Sequence, residues 1–557
     1  MSTKLHRGMQ IVFHSKILAV ILFSTFLFSR CRPERLTPPA QNSEKMSAGV
    51  IDASGKLRLN SYSGVGVQLK DMFGINAYEW NFLQDPANPN LKSTIYETNM
   101  ALIKSFSGVR HYLGWARMES TKGNYTFSPT HEGSWDYDLI YNRCKQEGIL
   151  VLADIKNCPP WLVSTYPNDM QDLENAPLLY GLSKADPASY VEQARMAFQF
   201  AARYGYNANV DRSLVKVDSS VRWTNDPPNQ VKVGMSVVSY VECDNERDKW
   251  WKGPATQQTA EEYAANMSAF YDGDKGKLGK NAGVKNADPN MKVVMGGLAT
   301  CNVDFVKKMV EWCRTNRGYR ADGSVDLCFD IINYHYYNNN GNILTHQSAT
   351  IGLPPELSMA GQIADSFVQY ANSLTKPLPV WVTESGYDIN QGSYQKALYV
   401  GDKLPKDTQA DWILRTSLLY IRHGIQRVFY YQLFDDTPNV DVQYATSGLA
   451  ENGKRRPAAD FILQTSKLMG SYTYSGTVNA DPLVDKYISG SQTMYALTIP
   501  DFRARTGTYT LDLGTPKANI YTLKTGADEA VKTQVNTVDG KLTVTVSETP
   551  IFVQGTN

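Results

Sequence analysis

The chain is 557 residues long, too long for one ordinary domain and long enough for a large core with an accessory module. It is 42% hydrophobic and 20% charged, with a formal net charge of +1. That balance excludes a strongly basic nucleic-acid binder, because non-specific phosphate binding needs a cationic face.

At the N-terminus, Lys4, His6 and Arg7 precede an apolar run from Ile17 to Phe28, which leads into Ser29-Arg30-Cys31. Such a run is too short to cross a bilayer but suits the core of a secretory signal peptide. Residues 1–31 are therefore expected to direct export, to the periplasm, the outer membrane or the medium of a bacterium, with no transmembrane domain in the mature chain. Cys31 stands where a lipoprotein carries its acylated cysteine, whereas Arg30 departs from the small residue preferred there; a lipid anchor at Cys31 and plain cleavage both stay open. Residues 32–55 are polar, carry Pro33, Pro38 and Pro39, and read as a flexible tether. Residues 56–69 are expected to be short strands, a candidate addition to the C-terminal β module described below.

From residue 70 to residue 465, short β-rich runs alternate with amphipathic stretches. The predicted strands are Met72–Ala77, Gly108–Leu113, Ile149–Ile155, Val231–Val241, Lys292–Gly297, Phe329–Tyr336, Val380–Thr383 and Arg427–Leu433. Ile149-Leu150-Val151-Leu152 and Val293-Val294-Met295 are continuous apolar runs, as suits strands buried on both faces. Helices are predicted over Thr94–Lys104, Tyr137–Gln146, Ser189–Tyr204, Thr259–Phe270, Val303–Thr315, Leu357–Leu374 and Thr408–His423. Eight repeats favour a closed α/β structure, a (β/α)8 TIM barrel, over an open sheet. No Gly-x-Gly-x-x-Gly or Walker-type loop follows a strand, which removes the main support for nucleotide binding. Lys454, Arg455 and Arg456 form the one compact basic cluster of the mature region and read as a solvated turn. Residues 466–557 hold short runs separated by turn residues, among them Thr493–Thr498, Gly507–Asp512, Asn519–Lys524 and Lys541–Ser547, and are expected to form a small C-terminal β-sandwich domain.

In such a barrel, functional groups sit at the C-terminal ends of the strands. The fourth strand leads into Glu242-Cys243-Asp244-Asn245-Glu246-Arg247, and the seventh into Glu384-Ser385-Gly386. Two carboxylates at opposite strand mouths suit glycoside cleavage, in which one protonated carboxyl donates to the leaving oxygen and an ionised one attacks the anomeric carbon. Glu242 and Asp244 are rival acids: alternation would place them on the side of Glu246 if the strand ran that far. The strand is expected to end earlier. Taken singly, a carboxylate after a strand is more often a helix N-cap or a surface residue, Arg110 could as easily pair with a structural acid, and a lone His335 is more often a satisfied core histidine; their joint placement at four strand ends carries the catalytic reading.

Asn-Glu after strand four and Glu after strand seven resemble the signature of the clan A glycoside hydrolases, nearest to families 5, 30 and 39, over roughly residues 70–465. The resemblance implies that Glu246 is the acid/base, Glu384 the nucleophile, and Asn245 a ligand of the sugar 2-hydroxyl. It implies further that Arg110 lies beside the nucleophile and that Tyr337, in His335-Tyr336-Tyr337, contacts it. The expected reaction is retaining hydrolysis of β-linked poly- or oligosaccharides with no metal and no cofactor. Two departures concern the substrate: Arg247 replaces the usual proline, and Tyr431 stands where strand eight normally brings a tryptophan. Trp250 and Trp251 are candidates either to line the cleft or to pack a loop, and the segment Cys158–Asn229 is expected to shape the cleft.

Competing readings are a non-catalytic glycan-binding barrel and a transglycosylase using the same glutamates. Two facing carboxylates would serve a pure binder poorly. A metal-dependent hydrolase would want several His or Asp ligands at strand ends, and only His335 is at hand. The 33 tyrosines and 10 tryptophans fit sugar-binding platforms as well as core. Cys144, Cys158, Cys243, Cys301, Cys313 and Cys328 show no zinc-site spacing, and their pairing stays open.

Overall fold

The computed structural model describes residues 50–51, 57–58, 66–342, 347–438 and 440–557. The expected signal peptide, Cys31 and nearly all of the tether lie outside the described residues. No helix among them is long and apolar enough to cross a membrane.

Eight parallel strands form the centre: β1 (Gly74–Ala77), β2 (Gly108–Gly114), β3 (Leu150–Lys156), β4 (Tyr240–Cys243), β5 (Lys292–Met295), β6 (Ile332–His335), β7 (Val380–Ser385) and β8 (Arg427–Tyr430). Their order is β5-β4-β3-β2-β1-β8-β7-β6. Parallel bridges Val294–Ile331 and Leu298–Tyr334 join β5 to β6 and close the barrel. A helix follows each strand: α1 (Glu97–Ile103), α2 (Tyr137–Gln146), α3 (Val191–Tyr204), α4 (Ala260–Asp272), α5 (Val303–Asn316), α6 (Ala360–Ser373), α7 (Pro405–Arg422) and α8 (Pro457–Met469). This is the expected (β/α)8 architecture.

Local chemistry explains the elements. Asp136 caps α2 by accepting from the Leu139 amide at 2.9 Å, and Tyr137, Ile140, Tyr141 and Cys144 make its buried stripe at helical spacing. Thr259 and Glu262 form a reciprocal capping box at the start of α4, and left-handed Gly273 ends it.

The fourth strand departs from expectation. Residues 231–239 are apolar enough to read as strand but join no ladder. Their amides turn back onto the end of α3: Met235 donates to the Arg203 carbonyl at 2.9 Å, and Val237 and Val238 donate to that of Tyr204. Left-handed Gly234 and Ser236 allow this wrap. The strand proper is Tyr240–Cys243, so it begins and ends later than expected.

After α8 come β9 (Thr473–Ala480), β10 (Leu483–Ser489), β11 (Gln492–Thr498), β12 (Gly507–Asp512), β13 (Lys517–Thr522), β14 (Val531–Asn536), β15 (Lys541–Val546) and β16 (Ile551–Thr556). Six of them form an antiparallel sheet, β9-β10-β11-β16-β13-β14, while β12 pairs with β15. Alternation buries Leu542, Val544 and Val546 of β15 with Val484, Leu497 and Val553. Gln68 bridges Thr473 of β9, whereas Leu57–Arg58 pairs with Val50–Ile51 in a separate two-stranded ladder. A buried ion pair between Arg422 of α7 and Asp485 of β10, 2.8 Å, ties the β domain to the barrel.

Candidate active site

Side chains pointing into the barrel fall into two layers. Leu152, Val294, Ile331, Trp381 and Phe429 make an apolar plug, with room for the Phe429 ring left by Gly74 and Gly108. Two residues further along the strands, the inward positions become Asn76, Arg110, Asp154, Glu242, Asn333 and Thr383, all buried. Period-two alternation puts Leu152 and Asp154, or Trp381 and Thr383, on the same inner face at successive heights. The apolar layer sits at the bottom and the polar layer supports the mouth.

Arg110 is the hub of the polar layer. Its Nε and Nη2 donate to the two oxygens of Glu242 at 2.7 and 3.0 Å, and Nη2 also donates to Asp154 Oδ2 and Asn245 Oδ1, each at 2.9 Å. Nη1 donates to Glu384 Oε1 at 2.9 Å and to Asn76 Oδ1 at 3.2 Å. Burial pushes the Asp154 carboxyl up, Arg110 opposing and Glu242 reinforcing that shift.

Glu384 is the penultimate residue of β7, at a register shift against β6. Its Oε2 accepts from the Tyr337 hydroxyl at 2.9 Å, and Oε1 accepts from Arg110 and also from Tyr112. Burial would raise its pKa, but the charges of His335 and Arg110 and the Tyr112 bond outweigh it and lower the value to about 2. Glu384 is thus an ionised carboxylate held at both oxygens.

Glu246 lies across from it. An oxygen of Glu246, Nδ1 of His335 and an oxygen of Glu384 all fall within 4.8 Å of one another. His335 Nδ1 meets Glu246 Oε1 at 2.9 Å, and its Nε2 meets Thr383 Oγ1 at 3.0 Å. Gly297 leaves the space the imidazole occupies. The Glu246 side chain is 22% exposed against 8% for Glu384, so Glu246 is the carboxyl that faces the cleft more openly. Among the described residues these three are also the group whose donor atoms converge closely enough for a metal ion; here the atoms engage one another.

The rival acids separate cleanly. Strand β4 extends through Glu242, against the expectation that it stops before it, and that residue points inward beneath the site to Arg110, the Gly297 amide at 3.1 Å and Asn333 at 2.9 Å. Asp244 and Glu246 both adopt left-handed φ, 66° and 54°, which breaks strand alternation and lifts Glu246 above Glu242. Asp244 turns away to pair with Arg247 at 2.9 Å. The residue at the usual proline position therefore locks the loop through a buried ion pair.

Of the other sequence-derived residues, Asn245, Arg110, His335 and Tyr337 converge on the glutamates. With Asn245 Oδ1 held by Arg110, its amide NH2 is left to the cleft it lines. Tyr431 also lines the cleft, as does Trp251; Trp250 does not, although the two indoles stand edge to face at 6.1 Å. Both are more than half exposed. Tyr112 was not singled out from the sequence, though it stands two residues after Arg110 and so shares its inward face. Tyr444, likewise missed, packs edge-on against Tyr337 at 5.0 Å and comes from a loop with no strand pattern to flag it. Lys249 and Lys252 line another wall and share Glu174, at 3.3 and 2.9 Å.

The cleft has a volume of about 770 Å3. A cavity of about 800 Å3 at the other end of the barrel is lined by Tyr240, Lys292, Trp381 and Arg427. Its acids Asp71 and Asp330 are engaged by Arg427 and Lys285, and barrel chemistry sits at the opposite face.

No protein-family model matches the sequence, and no curated protein matches it either. Among solved structures, the chain is similar to a family 39 glycoside hydrolase from the gut symbiont Bacteroides cellulosilyticus WH2, with 17% identity, a TM-score of 0.58, and coverage of 88% of this chain and 81% of that one. It is also similar to AbfB, a family 51 α-L-arabinofuranosidase from Bifidobacterium longum, at 12% identity and TM-score 0.51, over 90% of this chain and 98% of that one. The fold is one shared with glycoside hydrolases, in line with the resemblance read from the strand-end motifs.

Proposed function

We propose that the protein is a retaining glycoside hydrolase that cleaves β-glycosidic bonds of a polysaccharide or oligosaccharide by double displacement. The observation that carries this reading is the pairing of Glu384, ionised and held at both oxygens, with Glu246, one oxygen of each carboxyl lying within 4.8 Å of the other. Retaining enzymes hold their carboxyls about 5–5.5 Å apart, whereas inverting ones leave about 6.5–9.5 Å for a water molecule.

Glu384 attacks the anomeric carbon while Glu246, as acid, protonates the departing glycosidic oxygen. The glycosyl–Glu384 ester is then hydrolysed by a water that gives its proton to Glu246, now the base. Arg110, Tyr112 and Tyr337 orient the nucleophile, and the cleft-facing amide of Asn245 suits a sugar hydroxyl. His335, fixed between Thr383 and Glu246, positions the acid/base. The fold shared with a family 39 glycoside hydrolase supports the reaction class. The basic flank and apolar run near the N-terminus support export as part of the same proposal, with Cys31 as the candidate anchor.

The test is product release from a panel of β-linked polysaccharides and oligosaccharides, wild type beside Glu384→Gln. Cleavage by the wild type alone, with the anomeric configuration retained by NMR, is the expected result. Equal activity of the two proteins, or an inverted product, overturns the mechanism.

A further inference from the structure

A third cavity, of about 710 Å3, shares no lining residue with the cleft and has no part in the chemistry above. Trp80, Tyr96 and Phe434 supply its aromatic surface, and Gln84, Asn99 and Asn452 its amides. Lys454 is the one charged residue among those lining it. Indole and phenol faces suit the C–H faces of pyranose rings, and amides both donate to and accept from hydroxyls. A charged ligand would lose its hydration there with few counter-charges in return.

A stack of three aromatic rings runs from the catalytic cleft to this cavity, Tyr112 lining the cleft and Trp80 the cavity. Tyr112, which bonds the nucleophile, stacks on Tyr78 with ring centroids 5.4 Å apart, and Tyr78 stacks on Trp80 at 4.3 Å. The Tyr78 and Tyr431 hydroxyls meet at 3.3 Å. The loop after β8 serves both spaces: Tyr431 and Asp436 line the cleft, and Phe434 lines the neighbouring cavity. One loop and one aromatic stack thus link the reacting carboxylates to a second sugar-compatible surface.

We propose that this cavity is a distal subsite for a neutral sugar unit of the same glycan that is cleaved at Glu246 and Glu384, reached across the Tyr78–Trp80 stack. The inference rests on the glycosidase reading and extends it to a substrate several units long. It assigns Trp80, Tyr96 and Phe434 as platforms, with Asn99 and Asn452 as hydroxyl partners.

The test is calorimetric titration of the Glu384→Gln protein with β-1,4-linked xylo- and gluco-oligosaccharides of two and six units. In at least one series the longer ligand should bind about tenfold or more tightly than the shorter one. Two further changes in that background examine the cavity. Thr98→Trp, at an exposed rim residue on α1, fills it from outside, and Phe434→Ala removes a platform. Each should erase most of the gain with length while leaving the melting temperature within a few degrees. Absence of any gain with length, or a gain that survives both changes, overturns the proposal. Should the wild type cleave a glycan while no such gain is seen, the subsite falls and the hydrolase reading stands; should the wild type cleave nothing, the hydrolase reading itself falls.

Discussion

Arg110 on β2 and Glu384 on β7, 274 positions apart in the chain, meet at 2.9 Å across the barrel mouth. The guanidinium does two things there. It helps to hold Glu384 in its ionised form, and it pairs with the Glu242 carboxylate below.

Replacing Arg110 by Met should therefore harm stability as well as activity. It strands Glu242 and Asp154 in the barrel, and breaking a buried ion pair of this kind costs about 3–5 kcal/mol. Arg110→Lys should fare little better, since an ammonium cannot present the planar fork that reaches five partners. Urea unfolding of both variants checks this; a loss under about 1 kcal/mol for Met would show the network to be dispensable.

The two glutamates should separate kinetically. Glu384→Gln should lower kcat by about three orders of magnitude or more on every substrate, since no attacking oxygen remains. Glu246→Ala should be severe on glycans but mild on nitrophenyl glycosides, whose leaving groups need no proton. Steady-state rates across leaving groups of graded acidity read this out, and parallel losses on both substrate types would reverse or cancel the assignment.

Glu384 also makes a prediction about pH. Its pKa of about 2 in the folded protein lies below its ordinary value of 4.5, burial being outweighed by His335, Arg110 and Tyr112. A depressed carboxylate stabilises the fold above its unfolded pKa, and that contribution fades as pH falls through the window from about 4.5 to about 2. The melting-temperature difference between wild type and Glu384→Gln should therefore shift against the wild type over that window. A difference constant with pH would contradict the assignment.

Gly297→Ala tests the seat of His335. A Cβ there would run into the imidazole and push it off Glu246 and Thr383. The expected outcome is a fall in kcat of about a hundredfold on glycans, within the range for a general acid–base contribution, with a smaller loss on nitrophenyl glycosides. Equal losses on both would point to general distortion of the site.

Tyr337→Phe removes one of three donors to Glu384 while keeping the ring against Tyr444. It should raise the nucleophile's pKa, move the acid limb of kcat/KM upward, and cost roughly tenfold in rate. The pH–rate profile is the measurement, and an unmoved acid limb would deny Tyr337 its role.

The alternation of strand and helix was legible in the sequence, because side-chain burial imposes periods of 2 and 3.6 that survive without any knowledge of partners. So was the placement of carboxylates at the mouths of the fourth and seventh strands, since strand ends are local features. Where Glu242, Asp244 and Glu246 each point was not legible: two left-handed residues send these acids to three different places, and such backbone states leave no mark in a hydrophobic pattern. Only the tertiary structure showed that the apolar run 231–239 wraps a helix end, because hydrogen-bond partners contributed from far along the chain decide between strand and coil. The donors to Glu384 come from β2 and the β6 loop, and their convergence is a property of barrel closure. Spacing along one chain does not encode which strand ends face each other across the mouth; the closed register does.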